Sequence, residues 1–260
     1  MAYTLDLSGR VAFVSGAAGA LGAQAARVLA QAGAAVVLAG QRMDDLRALR
    51  AQIDADGGDA HVVDLDVTRA ASVRAAVAHA ETEVGSLDIL VNATSISHTA
   101  KLKELAERDL DDLYAVNVKG AFLLAQEVGR RMIARAQGAA PGGFTGGRIV
   151  NLASTVGMRA VAQLGAYSMM HAAVIQMTKA MALEWGRYGI NVNAVCPGFM
   201  DLDTNHSHWA TEAGEKLKQS LPRKRVGQPQ DLNALLVMLC ADESHFINGA
   251  VVVADDGFNA

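Results

Sequence analysis

The sequence predicts a single α/β domain over residues 1–260, a doubly wound parallel sheet of about seven strands flanked by helices. Three observations carry that prediction. Seven short apolar runs recur along the chain. Segments of helical periodicity separate them. The first run passes straight into a glycine-rich turn that opens a helix.

The predicted strands are Arg10–Ser15 (RVAFVS), Ala34–Ala39 (AAVVLA), Ala60–Asp64 (AHVVD), Asp88–Asn92 (DILVN), Arg148–Leu152 (RIVNL), Asn191–Val195 (NVNAV) and Ala250–Ala254 (AVVVA). They are nearly continuous in apolar residues rather than alternating, the pattern of strands covered on both faces. The intervening helices are predicted over Leu21–Gln31, Met43–Ala55, Ala71–Glu83, Arg108–Ala134 and Tyr167–Arg187. Gln137–Gly147 (QGAAPGGFTGG) reads as a surface loop, because the strand–helix pattern continues beyond it.

Composition removes whole classes of function. Of 260 residues 51% are hydrophobic and 19% charged, below the ~25% charged of a typical soluble chain, so there is ample material for a core and disorder is excluded. No run reaches the ~18–20 apolar residues of a membrane span. MAYTLDLSGR has neither a basic n-region nor an apolar h-region, which argues against secretion. Cys196 and Cys240 are isolated and form no disulfide framework, so a cytoplasmic protein is expected. The net charge of −4 argues against a nucleic-acid partner. Twenty-five glycines stand out, since glycine allows close backbone approach.

The first strand runs into Ser15-Gly16-Ala17-Ala18-Gly19-Ala20-Leu21-Gly22 and then a helix. A helix N-terminus offers unpaired N–H groups and partial positive charge, which suits a pyrophosphate, and small residues let the phosphates come close. Gly16, Ala18, Gly19, Leu21 and Gly22 are therefore the candidate phosphate contacts of a dinucleotide.

On these residues the sequence resembles the short-chain dehydrogenase/reductase family, over essentially the whole chain. The family's loop reads Thr-Gly-x-x-x-Gly-x-Gly; Gly16 and Gly22 match, Ser15 stands for threonine and Ala20 for the middle glycine. The resemblance implies a Rossmann-type fold, and it implies that Asp66-Val67 contacts adenine and that Asn92-Ala93 borders the cofactor. It also makes Asn117 (VNVKGAF) the helix asparagine and Pro197-Gly198, with Met200, the turn beside the nicotinamide. NAD enzymes of the family place an acid at the end of the second strand. Gly40-Gln41-Arg42 stands there instead, and Arg42 can pair with a 2′-phosphate, so the expectation leans to NADP over NAD.

Ser154 and Tyr167 have the spacing of the family's catalytic serine and tyrosine, whose roles are to hold the substrate oxygen and to exchange a proton with it. The family motif next requires a lysine four residues after the tyrosine, which lowers the tyrosine pKa and bonds the nicotinamide ribose. Here YSMMH puts His171 in that place, shorter and mostly neutral at pH 7. Ser154, Tyr167, His171 and Asn117 are the candidate catalytic residues. Two more departures lie nearby: Asn92-Ala93-Thr94-Ser95 for Asn-Asn-Ala-Gly, and Leu202 where a threonine often bonds the carboxamide, with Thr204 two residues on.

Phe199–Val226 is the expected substrate lid. Met158, Phe199, Met200 and Trp209 are candidate pocket residues, while Met169 and Met170 would narrow the site. His206 and His208 lack partners of metal spacing and read as lid or surface residues, so no metal is expected. Pro222–Arg225 (PRKR) reads as a solvated turn, or as a contact for the phosphate of an acyl thioester.

The leading expectation is an NAD(P)-dependent oxidoreductase that interconverts a secondary alcohol and a ketone on an apolar or acyl substrate, similar to 3-oxoacyl reductases and hydroxyacyl dehydrogenases. The rival is a catalytically impaired subunit of a mixed oligomer. Cofactor-independent chemistry, as in halohydrin dehalogenases, is opposed by Gly16, Gly22 and Asp66. The resemblance implies a homotetramer or mixed oligomer through 108–134 and 167–187, where Ala172, Ala173, Ala180 and Ala182 permit close packing.

Overall fold

The computed structural model describes residues 4–140 and 143–260, leaving the first three residues and two positions of the predicted 137–147 loop outside the described chain. Seven strands form one sheet: β1 (Val11–Ser15), β2 (Ala35–Gly40), β3 (Asp59–Asp64), β4 (Ile89–Asn92), β5 (Gly147–Leu152), β6 (Ile190–Pro197) and β7 (Val251–Ala254). Their order is β3-β2-β1-β4-β5-β6-β7 and every neighbouring pair is parallel. All seven predicted strands are present, each displaced by no more than a residue or two.

The helices are α1 (Ala20–Gln31), α2 (Met43–Ala55), α3 (Ala70–Glu83), α4 (Glu107–Tyr114), α5 (Ala121–Gly138), α6 (Gly165–Trp185), α7 (Glu212–Ser220) and α8 (Asn233–Cys240). Two differ from expectation. The single helix predicted over Arg108–Ala134 is α4 and α5 joined by a π-helical stretch, Ala115–Gly120. One reason lies in close packing: a Cβ on Gly120 would sit 2.7 Å from Val67 Cγ2, so the backbone presses onto the loop after β3 there. The segment Phe199–Val226, expected as a lid with no helix assigned in it, carries a short 3₁₀ turn (His206–Ala210) and α7, capped by Thr211 on the Gly214 N–H at 3.0 Å.

Continuous apolar strands follow from burial on both faces. Ala12 and Val14 of β1, Val36 and Leu38 of β2 and Ile89 and Val91 of β4 face one layer, with Leu29, Leu46 and Leu236 from α1, α2 and α8. Phe13, Val37 and Leu90 face the other, with Val77, Leu124, Val128 and Met181 from α3, α5 and α6. Ala182 lies inside with this second layer, not on an outer packing face, whereas Ala172, Ala173 and Ala180 are exposed. Strand order reverses direction between β1 and β4. At such a switch point the loops leaving the two strands diverge and leave a crevice at their C-terminal ends.

Candidate active site

The crevice begins at the glycine loop. Gly16 has φ +64, a left-handed conformation that side chains resist, and a Cβ on it would lie 2.8 Å from the Ala93 carbonyl oxygen. A Cβ on Gly22 would lie 2.3 Å from the Gly16 carbonyl oxygen. Both positions must stay bare for the loop to close on the start of α1. That helix has Gly19 as N-cap, no side chain bonding its first turn and no acidic residue within it. Its leading N–H groups are thus left for an anion.

Ser15 binds the loop to its neighbour. Its hydroxyl accepts from the Ala93 and Thr94 N–H groups at 3.2 and 3.4 Å. Asn92 continues inward, its Nδ2 donating to the Ala121 carbonyl at 3.1 Å and to Asn151 Oδ1 at 3.0 Å. Asn151 Nδ2 donates to Thr178 Oγ1 at 2.9 Å, and the Thr178 hydroxyl donates to the Val174 carbonyl at 2.8 Å. This buried chain ties β4, β5 and α6 together beneath the crevice.

Arg42 follows the end of β2 and is 64% exposed, its guanidinium bonded to the Ala18 carbonyl and paired with Asp45 at 2.8 Å. It therefore overhangs the glycine loop, and Gln41 beside it is exposed. Asp66 builds its own turn, Oδ1 accepting from the Thr68 N–H at 3.0 Å and hydroxyl at 2.6 Å. Val67 is buried against Gly120, so its side chain belongs to the core.

The reacting side gathers at β5, β6 and α6. Ser154 is half-buried and caps the turn Thr155–Gly157, its Oγ accepting from the Val156 N–H at 3.4 Å. Its backbone N–H reaches the Cys196 sulfur, which links it to the strand ending in Pro197. A Cβ on Gly157 would lie 2.8 Å from the Ala172 N and 3.0 Å from His171 Cβ, so the serine turn packs directly on α6 at His171.

Tyr167 sits in the first turn of α6, which begins two residues earlier than predicted. Its ring packs with Leu105, Leu110 and Val118 around Leu113, Ala166 and Met170. Burial raises the phenol pKa above its usual value, while a hydrogen bond with the Ser95 side chain pulls the other way. His171 meets the Tyr167 ring edge-on, centroids 4.2 Å apart. It is 2% exposed, neither ring nitrogen has a hydrogen-bond partner, and burial depresses its pKa to about 4. The imidazole is uncharged at neutral pH and gives Tyr167 no cation.

Asn117 lies in the π-helical stretch and spends both halves of its amide on Ile96, Oδ1 accepting from the N–H and Nδ2 donating to the carbonyl, each at 2.8 Å. Pro197 and Gly198 end β6, where Gly198 N–H donates to the Ala254 carbonyl at 3.0 Å. Met200 is 6% exposed and packs into the core against Gly227. Met170 is likewise a core residue, whereas Met158 and Met169 are exposed. In the lid, Phe199 stacks edge-on with Trp209 and Phe258, and His206 Nδ1 pairs with Asp201 at 2.8 Å. Among the described residues no group of three or more His, Cys, Asp or Glu side chains is arranged to hold a metal. No described helix is long and apolar enough to cross a membrane.

Comparison with known proteins decides the family. The model described as Enoyl-(Acyl carrier protein) reductase matches residues 16–259. The chain belongs to the short-chain dehydrogenase/reductase family. It is similar to a D-threitol dehydrogenase of Mycolicibacterium smegmatis, 36% identical over 256 residues that cover 98% of this chain and 95% of that one. A sorbitol dehydrogenase of Cereibacter sphaeroides is 34% identical over 263 residues, covering 97% and 98%. A solved gluconate 5-dehydrogenase from Burkholderia cenocepacia, in complex with NADP and tartrate, superposes with a TM-score of 0.90 at 33% identity, covering 98% and 96%.

For this short-chain dehydrogenase/reductase, sequence reasoning had named most residues of the crevice but assigned no role to Ser15, Ser95, Asn151 or Thr178. Ser15 and Ser95 were visible as departures from a motif. Asn151 and Thr178 carry no local signal, because their partnership spans 27 residues and is created by packing.

Proposed function

We propose that this chain interconverts a secondary alcohol and a ketone on a small polyhydroxylated substrate, with a nicotinamide dinucleotide, NADP before NAD, as its hydride carrier. The carrying observation is the bare, left-handed glycine loop at an uncapped helix N-terminus, with Ser154 just past the C-terminal end of β5 and Tyr167 in the first turn of α6, on which the Ser154 turn packs. The names of the relatives, threitol, sorbitol and gluconate dehydrogenases, favour a polyol or sugar acid over the acyl thioester.

Gly16, Ala18, Gly19, Leu21 and Gly22 would hold the pyrophosphate, Gln41 and Arg42 the adenosine ribose and its phosphate, and Asp66 and Val67 the adenine. Asn92 and Ala93 would border the middle of the dinucleotide. Tyr167 would face the nicotinamide ribose, and Pro197, Gly198 and the Met200 backbone the nicotinamide, whereas the buried His171 ring presents neither nitrogen to the crevice. When bound, the dinucleotide supplies or accepts a hydride at the substrate carbon. Ser154 holds the substrate oxygen by hydrogen bond as charge develops on it. Tyr167 gives that oxygen its phenol proton in reduction and takes it back in oxidation. Burial pushes the phenol pKa further above its ordinary alkaline value, so the protonated form that ketone reduction uses predominates at neutral pH.

The test is titration with NADPH and NADH followed by turnover of the ketone forms of threitol, sorbitol and gluconate. Absence of nucleotide binding would sink the reading. A second reading rests on the uncharged, unpartnered His171: the chain is an impaired subunit that works beside a more active homologue. His171→Lys separates the two, since a gain in turnover marks an impaired chain and a loss marks an adapted histidine.

A further inference from the structure

We propose that Arg159 and Phe258 are positioning residues of the substrate site, which together tie the C-terminal turn, residues 255–260, to the Ser154 turn and to the root of the Phe199–Val226 segment. The inference rests on reading Ser154 as the residue that holds the substrate oxygen, and deepens it by naming what sets the opposite wall. Arg159 is fixed to the turn that Ser154 caps, because the Met158 and Arg159 N–H groups both donate to the Thr155 carbonyl, at 2.9 and 3.0 Å. Its side chain reaches from there to the C-terminal turn. Nη1 donates to the Phe258 carbonyl at 2.9 Å, and the guanidinium carbon lies over the Phe258 ring, 4.8 Å from its centroid.

The same ring meets Phe199 edge-on at 5.2 Å, and Phe199 in turn meets Trp209 edge-on at 6.2 Å. Phe199 directly follows Gly198, and it is where the 199–226 segment closes on itself, its carbonyl accepting from the Gly227 N–H at 2.8 Å. Arg159, Phe258, Phe199 and Trp209 thus make one continuous run of contacts from the serine turn to the 3₁₀ turn. The C-terminal turn is built to present Phe258. The two carboxylate oxygens of Asp255 accept from the Gly257 and Asn259 N–H groups at 3.0 and 2.9 Å. Asp256 takes a left-handed φ of +58 and pairs with Arg223 at 3.1 Å. Gly198 lets the turn sit close, since a Cβ there would lie 2.7 Å from Asp255 Cα. Exposed cation–π and aromatic contacts are each weak, but in series they fix a distance. A substrate held by Ser154 at its oxygen would meet the Phe199 side with the rest of its surface. Loosening the strap therefore weakens substrate binding and leaves the hydride and proton steps intact.

Turnover of two ketoses with NADPH, erythrulose and fructose, gives the first test. Arg159→Ala and Phe258→Ala should each raise the ketose KM about threefold to tenfold, with kcat within about twofold and nucleotide Kd unchanged. Phe258→Tyr keeps the ring and should restore the parent KM. Because the two side chains make one contact, the double variant should be no worse than either single one. An unchanged KM in both, or effects that multiply in the double variant, overturns the proposal. A second readout needs no turnover. The chain has two tryptophans, so a Trp209→Phe control assigns the emission of Trp209, which is 8% exposed. Acrylamide should quench that emission more readily in Arg159→Ala and Phe258→Ala than in the parent chain, and equal quenching overturns the strap. Should neither ketose turn over, the functional reading fails while the quenching still decides the strap.

Discussion

The Tyr167 ring stands edge-on to the His171 imidazole, centroids 4.2 Å apart and planes inclined by 66°, with both imidazole nitrogens buried and unpartnered. The pair places an aromatic edge, not a positive charge, beside the residue that must exchange the proton. With its pKa raised by burial and only partly drawn back by Ser95, the phenol remains protonated well past neutrality. Alcohol oxidation, which needs the phenolate, should therefore climb with pH by about tenfold per unit through neutrality and into the alkaline range. Ketone reduction should stay flat there. Initial rates in both directions from pH 6 to 10 check this; a flat oxidation profile contradicts it.

His171 also links stability to acid. Its folded pKa of about 4 lies below the ordinary histidine value of 6.5, so the unfolded chain takes up the proton first. The uncharged burial is fully tolerated above pH 6.5, and stability falls as pH drops from 6.5 towards 4, by roughly 3 kcal/mol in all. Replacing the ring with an apolar side chain, His171→Met, should flatten that part of the profile. Denaturant unfolding of both proteins at pH 7 and pH 5 measures the difference; equal losses in the two would contradict the assignment.

The chain Asn92–Asn151–Thr178 should be as costly to break as any buried polar network. Asn151→Ala removes a donor to Thr178 and the acceptor of Asn92, and should destabilise the fold by about 2–3 kcal/mol. Urea unfolding reads this directly. A change under about 0.5 kcal/mol would mean that the network is not held in solution.

Arg42 overhangs the glycine loop from the Ala18 carbonyl, and as the cation nearest the end of β2 it is the group that would tell NADPH from NADH. Arg42→Ala should weaken NADPH by roughly tenfold and leave NADH within about twofold. Equal losses for both would mean that Arg42 only braces the loop.

Much of this architecture was legible in the sequence. β1 and β4 are buried almost throughout on both faces, so Arg10–Ser15 and Asp88–Asn92 announce themselves as continuous apolar runs. The break at Ala115–Gly120 was not legible, because residues 108–134 keep helical periodicity and the π-helical stretch depends on contacts such as Gly120 with Val67, more than fifty residues away. Within the site, Gly16 and Gly22 were readable from their spacing. The inward burial of Met200 and Val67 was not, since apolar side chains beside a binding loop suit pocket and core equally. His171 was visible as a departure, but its lack of partners is a property of the packed helix and appears only in three dimensions.

The central claim is that the glycine loop holds a nicotinamide dinucleotide, and titration of the chain with NADPH, followed by the change in nucleotide fluorescence, tests it most directly. Saturable binding is predicted, tighter for NADPH than for NADH, and abolished by Gly22→Val, whose side chain would collide with the Gly16 carbonyl. No binding of either nucleotide to the folded chain, or undiminished binding by a folded Gly22→Val variant, would contradict it.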